Sequence, residues 1–342
     1  MIRISDPGIR KYLTPYKHPR PVLTGSGKEG AFDARSVDVP FVFKHNGRYY
    51  MMYTGYDGYG YQTALATSGD LIHWTHEKTI LERGEGGWDG IGACGTWILK
   101  ESDDLYAIPR LKKVDGRYWM VYHAYPAQGY EEGPAEIGLA WSEDEALHEW
   151  HRLEKPVLTW RGGAPWECGG LYKACLISEA GKYYLFYNAK TDEPHWAEQT
   201  GVAVSFDMIH WEKSSHNPVL KVDEGRWDSR FASDPYVVRD ADKWLMFYYG
   251  YDDLHAQDGL AISHDLLSWE KVDAPVLTIG AEGEMDEVHA HKPAMFFEDG
   301  TLWHFYCAVR KHRAGDLTEL WNEFRTIAVA SNDPDMARGV NI

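Results

Sequence analysis

Acidic residues recur at fixed places along this chain, and the recurrence sorts those that could do chemistry from those that build structure. Five segments set a carboxylate ahead of a β-forming run: "FDARSVDVPFVF", "WDGIGACGTWILKESDDLYAIPRLKK", "WECGGLYKACLI", "WDSRFASDPYVV" and "MDEVHAHKPAMFF". The acid after the bulky first residue is Asp33, Asp89, Asp228 or Asp286 in four of them and Glu167 in the third. A feature present in every copy reads first as a fold device that caps a turn or bonds backbone N–H groups. Glu167 stands apart because its side chain reaches one methylene further. A second acidic position is rarer, with Asp38 in "VDVPF" and Asp234 in "SDPYV". The segments "AIPRL", "LYKAC" and "AHKPA" put Ala107, Tyr172 and His291 in the matching places. Asp38, Glu167 and Asp234 are therefore the catalytic candidates. Carboxyls gathered in this way suit cleavage of a glycosidic bond, in which one protonates the leaving oxygen and another activates water or attacks carbon. Crowding also separates their pKa values, so that one stays protonated near neutral pH.

Other residues near these acids are candidates for binding. Asp89 is a candidate for substrate binding or for tuning the charge of the site; Arg110 and Arg230 could orient a carboxylate or hold a substrate anion, and a salt bridge between repeats is the equal alternative. His289 and His291 alternate along a strand start, so only one faces the axis. A His there could bond a sugar hydroxyl, hold a central metal or its water, or sit satisfied in the core. Trp196 in "DEPHWAEQ" and Tyr56 in "TGYDGYGY" fall on loops where a ring could carry a sugar face. The chemistry requires no cofactor; a structural Ca²⁺ or other cation near the axis is left open.

The elements that must position these residues are repeated too. "SGDLIHW", "SEDEALHEW", "SFDMIHW" and "SHDLLSW" form one series, and Pro-Val-Leu at Pro21, Pro156, Pro218 and Pro275 a second. A turn followed by an aromatic strand forms a third: "NGRYYMMYTG", "DGRYWMVYHA", "AGKYYLFYNA", "ADKWLMFYYG" and "DGTLWHFYCA". Short aromatic runs bounded by turn residues are strands, and Asn-Gly or Asp-Gly between two of them predicts a hairpin. Four short strands per unit, repeated radially, predict an all-β five-bladed propeller with four antiparallel strands per blade. The blades are expected to begin near Phe32, Trp88, Trp166, Trp227 and Met285, in a single domain spanning 1–342. The segment at Pro21 supplies the strand that closes the ring. The longest insertions, "AYPAQGYEEGPAE" and "RKHRAGDLTELWNEF", are expected to be binding loops or rims.

Composition narrows the partners. A net charge of −17 argues against nucleic acid and against an anionic membrane. Four scattered cysteines form no C-x-x-C pair and read as reduced thiols. With no apolar leader and no long apolar run, a cytoplasmic protein is expected. A carbohydrate is the expected partner; the oligomeric state is not legible.

On these residues the chain resembles the five-bladed propeller glycosidases of families 43, 32, 68, 117 and 130. "VDVPFVFKHNGRYYMMYTG" is similar to the first-blade segment of family 43, which implies that Asp38 is the general base. "WEC" is similar to the family 32 segment around its acid/base glutamate, which implies that role for Glu167. The third Asp that these families place in blade two has no match in "YAIPRLKK", where Asp104, Asp89 or Asp234 could take over. The resemblance implies a glycoside hydrolase. A phosphorylase like those of family 130 and a non-catalytic sugar-binding propeller are the alternatives.

Overall fold

The computed structural model describes residues 1–84 and 86–339. The strands fall into five antiparallel meanders. The first runs Ser36–His45, Arg48–Tyr56, Tyr61–Ser68 and Trp74–Leu81. The second runs Gly92–Ile98, Arg117–Tyr125, Glu136–Ser142 and His151–Arg152. The third runs Gly170–Glu179, Lys182–Lys190, Glu198–Ser205 and Glu212–Lys213, and the fourth Phe231–Asp240, Lys243–Tyr251, Ala256–Ser263 and Glu270–Lys271. The fifth runs His289–Glu298, Thr301–Lys311 and Glu323–Ser331, and its last strand pairs with Tyr16–Lys17 and Leu23–Thr24 from the N-terminal segment.

Local chemistry explains the strands and turns. Asn46 (φ 46°) and Gly47 (φ 79°) make the first hairpin turn in the left-handed region that such two-residue turns require. The Ser-x-Asp series closes the outer turns. Asp70 accepts from the backbone N–H of Ile72 and His73 at 3.0 and 2.8 Å, and the Trp74 indole donates to the Leu71 carbonyl. The same bonds recur at Asp207 with Trp211 and at Asp265 with Trp269.

Each meander touches the next, and the fifth touches the first. Thr63 donates to the Ala93 carbonyl at 2.8 Å and accepts from Gly95 N–H at 2.7 Å, joining the first to the second. Leu171 N–H bonds the Ala135 carbonyl, and Thr200 bonds the Ala232 carbonyl. Gln257 and Ala290 pair in parallel. Lys292 bonds Asp38, and Tyr49 bonds Glu298, between the fifth and the first. The first strands converge, and the axis below their starts is filled: Trp97 packs on Phe41 and Tyr236 with ring centroids 4.9 and 4.7 Å apart.

Each first strand carries a bulge near its start. In the first, fourth and fifth meanders two residues oppose one: Val39-Pro40 faces Tyr53, Asp234-Pro235 faces Tyr248, and Lys292-Pro293 faces Tyr306. Val39, Asp234 and Lys292 have φ of 53°, 55° and 67°, and the following Pro has no N–H to leave unpaired. Lys173 is the extra residue in the third meander, and the second shifts between Gly95 and Trp97. This register corrects the sequence alignment. Asp38 shares its column with Cys94, Tyr172, Ser233 and His291, paired with Thr54, His123, Asn188, Tyr249 and Cys307. Asp234 lies one residue further on, in the column of Val39 and Lys292. Ala107 belongs to neither, because Gly92–Ile98 forms the first strand of the second meander and "YAIPRLKK" lies in and beyond the connection that follows it.

No helix among the described residues is long and apolar enough to cross a membrane. Thr63→Val removes both partners of the first joint and leaves buried backbone groups unpaired, so it should cost about 1–3 kcal/mol. Urea denaturation checks this; an unchanged midpoint would show that the joint contributes nothing.

Candidate active site

A cavity of about 350 Å³ opens at the start of the first strands. The bulges and the residues paired beside them build its floor. Asp38, buried to 2% exposure, accepts from Lys292 Nζ at 2.7 Å and from Val39 N–H at 2.9 Å. Asp234 is also buried, with Lys173 Nζ 4.0 Å away. Glu198, at the start of a third strand, accepts from Asn188 Nδ2 at 2.8 Å, Trp196 Nε1 at 3.0 Å and the Tyr249 hydroxyl at 3.3 Å. Asn188 also reaches Asp234 at 3.4 Å. From the second meander's insertion, Glu131 (φ 53°) lies 3.8 Å from Lys292 Nζ.

The electrostatics divide these carboxyls. Burial opposes ionisation of Asp38, but the Lys292 ammonium, with the Arg325 charge nearby, outweighs it and holds the carboxyl well below the usual range. Lys292 is in turn held well above its ordinary value despite burial, chiefly by Asp38. Asp234 is pushed up to about 6 by burial, against the pull of Lys173 and Lys292 and with help from the Glu198 and Asp38 charges. Glu131, whose side chain keeps 40% of its surface exposed at the cavity, is raised by its partial enclosure and by the Glu198 and Asp38 charges, with Lys292 opposing. Burial lowers Lys173, and burial with the nearby Lys292 and Lys173 charges lowers His123 to about 3.

Four buried polar atoms on residues that line this cavity have no hydrogen-bond partner among the described residues: the Tyr61 hydroxyl, His123 Nδ1, Lys173 Nζ and Asn188 Oδ1. Buried polar groups are normally paired. Several unpaired ones around a single cavity suit a ligand rich in hydroxyl groups.

Of the sequence candidates, Asp38, Asp234 and Trp196 line this cavity. Arg230, His291 and again Trp196 line a second cavity of about 280 Å³ beside it. Tyr56 is buried against Tyr61 and Tyr130 and lines neither. Glu167 is not brought to the cavity. Its carboxylate takes the Tyr187 hydroxyl at 3.0 Å, Lys213 Nζ at 2.9 Å and Ala164 N–H at 3.2 Å. Asp89 is held in the same way by Tyr122 and Arg152, both at 3.1 Å. Asp228 is held by Tyr248 and Lys271, and Asp286 by Tyr306 and Lys17. A tyrosine from the second strand and a cation thus grip the recurrent acid in four copies, which satisfies its charge away from the cavity. Arg110 is exposed on the connection after Gly92–Ile98, at the far end of the strands from the cavity. Among the described residues no three His, Cys, Asp or Glu side chains are arranged to hold a metal.

Sequence reasoning missed Glu131, Glu198, His123 and Asn188. Glu198 follows Trp196 by two residues, and Glu131 lies in an insertion already marked as a binding loop; neither stands in a repeated column.

The fold is that of the glycoside hydrolase families. Comparison with known families assigns it further. The family described as glycosyl hydrolases family 32 N-terminal domain matches residues 108–292, more than half of the sequence, and the protein belongs to that family. Glycosyl hydrolases family 43 matches residues 33–164. Two solved structures are similar over nearly the whole chain. One, a BT0996 RGII complex, is 28% identical with a TM-score of 0.81, covering 96% of this chain and 94% of the other. The second, described as a glycoside hydrolase, is 27% identical with a TM-score of 0.80 and the same coverage. A 1,2-beta-oligomannan phosphorylase from Thermoanaerobacter sp. (strain X514) is 27% identical over 187 residues, 51% of this chain and 48% of that protein. The chain thus matches only about half the length of that curated relative.

The grip on Glu167 predicts a structural phenotype. Glu167→Gln should lower stability by about 1–3 kcal/mol through the weakened Lys213 and Tyr187 bonds. Thermal denaturation should register it, while ligand affinity of the folded variant stays within a few-fold of the parent. A large loss of affinity at unchanged stability would return Glu167 to the site.

Proposed function

We propose that this chain is a glycoside hydrolase whose five meanders are the blades of one propeller, and that the cavity holds the sugar whose bond is cut. The observation behind this reading is the division of carboxyls in the cavity: Asp38 is held ionised, while Asp234 and Glu131 are held toward their neutral forms. Glycoside cleavage needs that pairing of a base or nucleophile with a protonated acid.

Asp38 acts as base or nucleophile. The acid that the resemblance assigned to Glu167 is instead Glu131. Six residues line both cavities, and Glu131 is the one carboxyl among them. A bond joining a sugar in one cavity to a group in the other passes this junction, and the acid must reach that bond's oxygen. Asp234 tunes the charge, while Glu198 positions Asn188 and Trp196. A cytoplasmic site of action suits a small imported glycoside.

Phosphorolysis is the second reading, favoured by the phosphorylase named among the relatives. A panel of aryl furanosides and pyranosides, assayed with and without phosphate, separates the two. Hydrolysis predicts turnover without phosphate. Asp38→Asn and Glu131→Gln should each lower kcat/KM by about 10³-fold or more. If both retain most of the activity, the assignment is wrong.

The pH profile gives a further test. Activity should fall as pH rises and Glu131 loses its proton, whereas Asp38 stays ionised well into the acid range. Glu198 raises Glu131 through its charge. Glu198→Gln should therefore move the basic limb to lower pH; a limb that stays in place would mean that another group carries it.

A further inference from the structure

The second cavity has a chemistry opposite to the chain as a whole. The protein carries a net charge of −17. Yet this cavity is lined by Arg230, Arg325 and Lys292 with His289 and His291, against the single carboxyl of Glu131. The guanidinium groups are fixed from behind. Arg230 donates Nε to the Trp196 carbonyl at 3.0 Å and Nη1 to Asp253, and its carbon lies 5.1 Å from the Trp196 ring and 5.3 Å from Phe231. Arg325 donates Nε to Glu323 at 3.0 Å, with its Nη2 2.9 Å from the same carboxylate as an ion pair, and lies 5.6 Å from the Tyr130 ring. Arg230 Nη2 and Arg325 Nη1 have no partner among the described residues. A planar fork held in this way recognises an oxyanion at low entropic cost.

The histidines add a donor and an acceptor. His289 Nδ1 accepts from Ala256 N–H at 3.0 Å, so its proton sits on Nε2. His291 Nδ1 faces the Cys307 carbonyl at 3.2 Å and must donate, which leaves Nε2 as an acceptor. Burial and the surrounding cations keep both rings neutral. The rings of Phe231, Tyr251 and Trp321 complete the lining. Trp321 is 65% exposed, has φ 54°, and meets Tyr130 edge-on at 4.6 Å, so the fifth meander's insertion touches the second's over the mouth. A bulky residue with positive φ is strained, and such strain gathers at functional sites.

We propose that this cavity binds the sugar on the far side of the scissile bond, and that this sugar bears a carboxylate. The inference rests on the reading of the first cavity as the glycone site. Arg325 and Arg230 take the carboxylate, His289 and His291 read hydroxyls, and the aromatic rings stack on the sugar face. The rings and the volume favour an acidic sugar over inorganic phosphate, which has no apolar face to stack.

The probes are D-glucuronate and D-galacturonate, compared with D-glucose, D-galactose and inorganic phosphate, titrated into the full chain by ligand-observed NMR. At least one uronate should bind on the order of tenfold more tightly than its neutral counterpart. Arg325→Gln and Arg230→Gln, made separately, should each remove that preference; the second is the safer test, because Arg325 is more buried. Equal binding of uronates and neutral sugars overturns the proposal. So does phosphate that displaces the uronate and proves necessary for turnover, since the cavity would then be a phosphate site. Binding is read without catalysis. Uronate preference without glycoside cleavage would sink the hydrolase reading alone, and cleavage without uronate preference would sink this inference alone.

Discussion

The buried ion pair between Asp38 and Lys292 is the contact on which both the architecture and the chemistry turn. It joins the first meander to the fifth at 2.7 Å, where the two ends of the strand order meet. Neither charge would be tolerated there alone, since breaking a buried pair costs about 3–5 kcal/mol. The same bond keeps Asp38 ionised in a setting that would otherwise protonate it. Lys292 then has a second neighbour in Glu131 at 3.8 Å. One ammonium therefore organises the proposed base, the proposed acid and the closure of the strand order.

The bulges make this arrangement possible. A regular strand alternates its side chains between two faces, so neighbouring residues cannot both be delivered to one end of the axis. Inserting a residue breaks the alternation. The column of Asp38 and the column of Asp234 and Lys292 thereby reach the same cavity from adjacent positions. The cost is backbone strain at Val39, Asp234 and Lys292, and two of these three are the charged groups of the site.

Much of this order was legible. The turn-flanked aromatic runs became second strands, the Ser-x-Asp series became outer turns, and the recurrent acid after a bulky residue proved in four of five copies to be held by a tyrosine and a cation. What misled was treating Asp38 and Asp234 as one column. The prolines mark the true one: Pro40, Pro235 and Pro293 each follow the bulged residue, which places Val39, Asp234 and Lys292 in line. Glu131 was beyond reach for a different reason. It sits in an unrepeated loop, and its environment depends on Lys292, 161 positions along the chain, and on the loop around Trp321.

Repetition and function pull apart in this molecule. Four copies of the recurrent acid, Glu167 among them, are held by a tyrosine and a cation, and the remaining one, Asp33, by Ser26, so this position is held away from the cavity in every meander. Unpaired buried atoms fall on both kinds of position: Trp227 Nε1 and Asp228 Oδ1 belong to the recurrent pair, whereas those that line the cavity lie on side chains that differ between copies. In one column Thr54, His123, Asn188, Tyr249 and Cys307 stand at equivalent places, and His123 Nδ1 and Asn188 Oδ1 are among the unpaired atoms. A ligand is asymmetric, so a near-symmetric scaffold can bind it specifically only where the symmetry is broken. The longer reach of Glu167 breaks it too, but that acid meets Tyr187 and Lys213 and is satisfied. Departure from the repeat marks function here only when it also leaves a polar group unpaired or a carboxyl displaced from its ordinary pKa at the cavity.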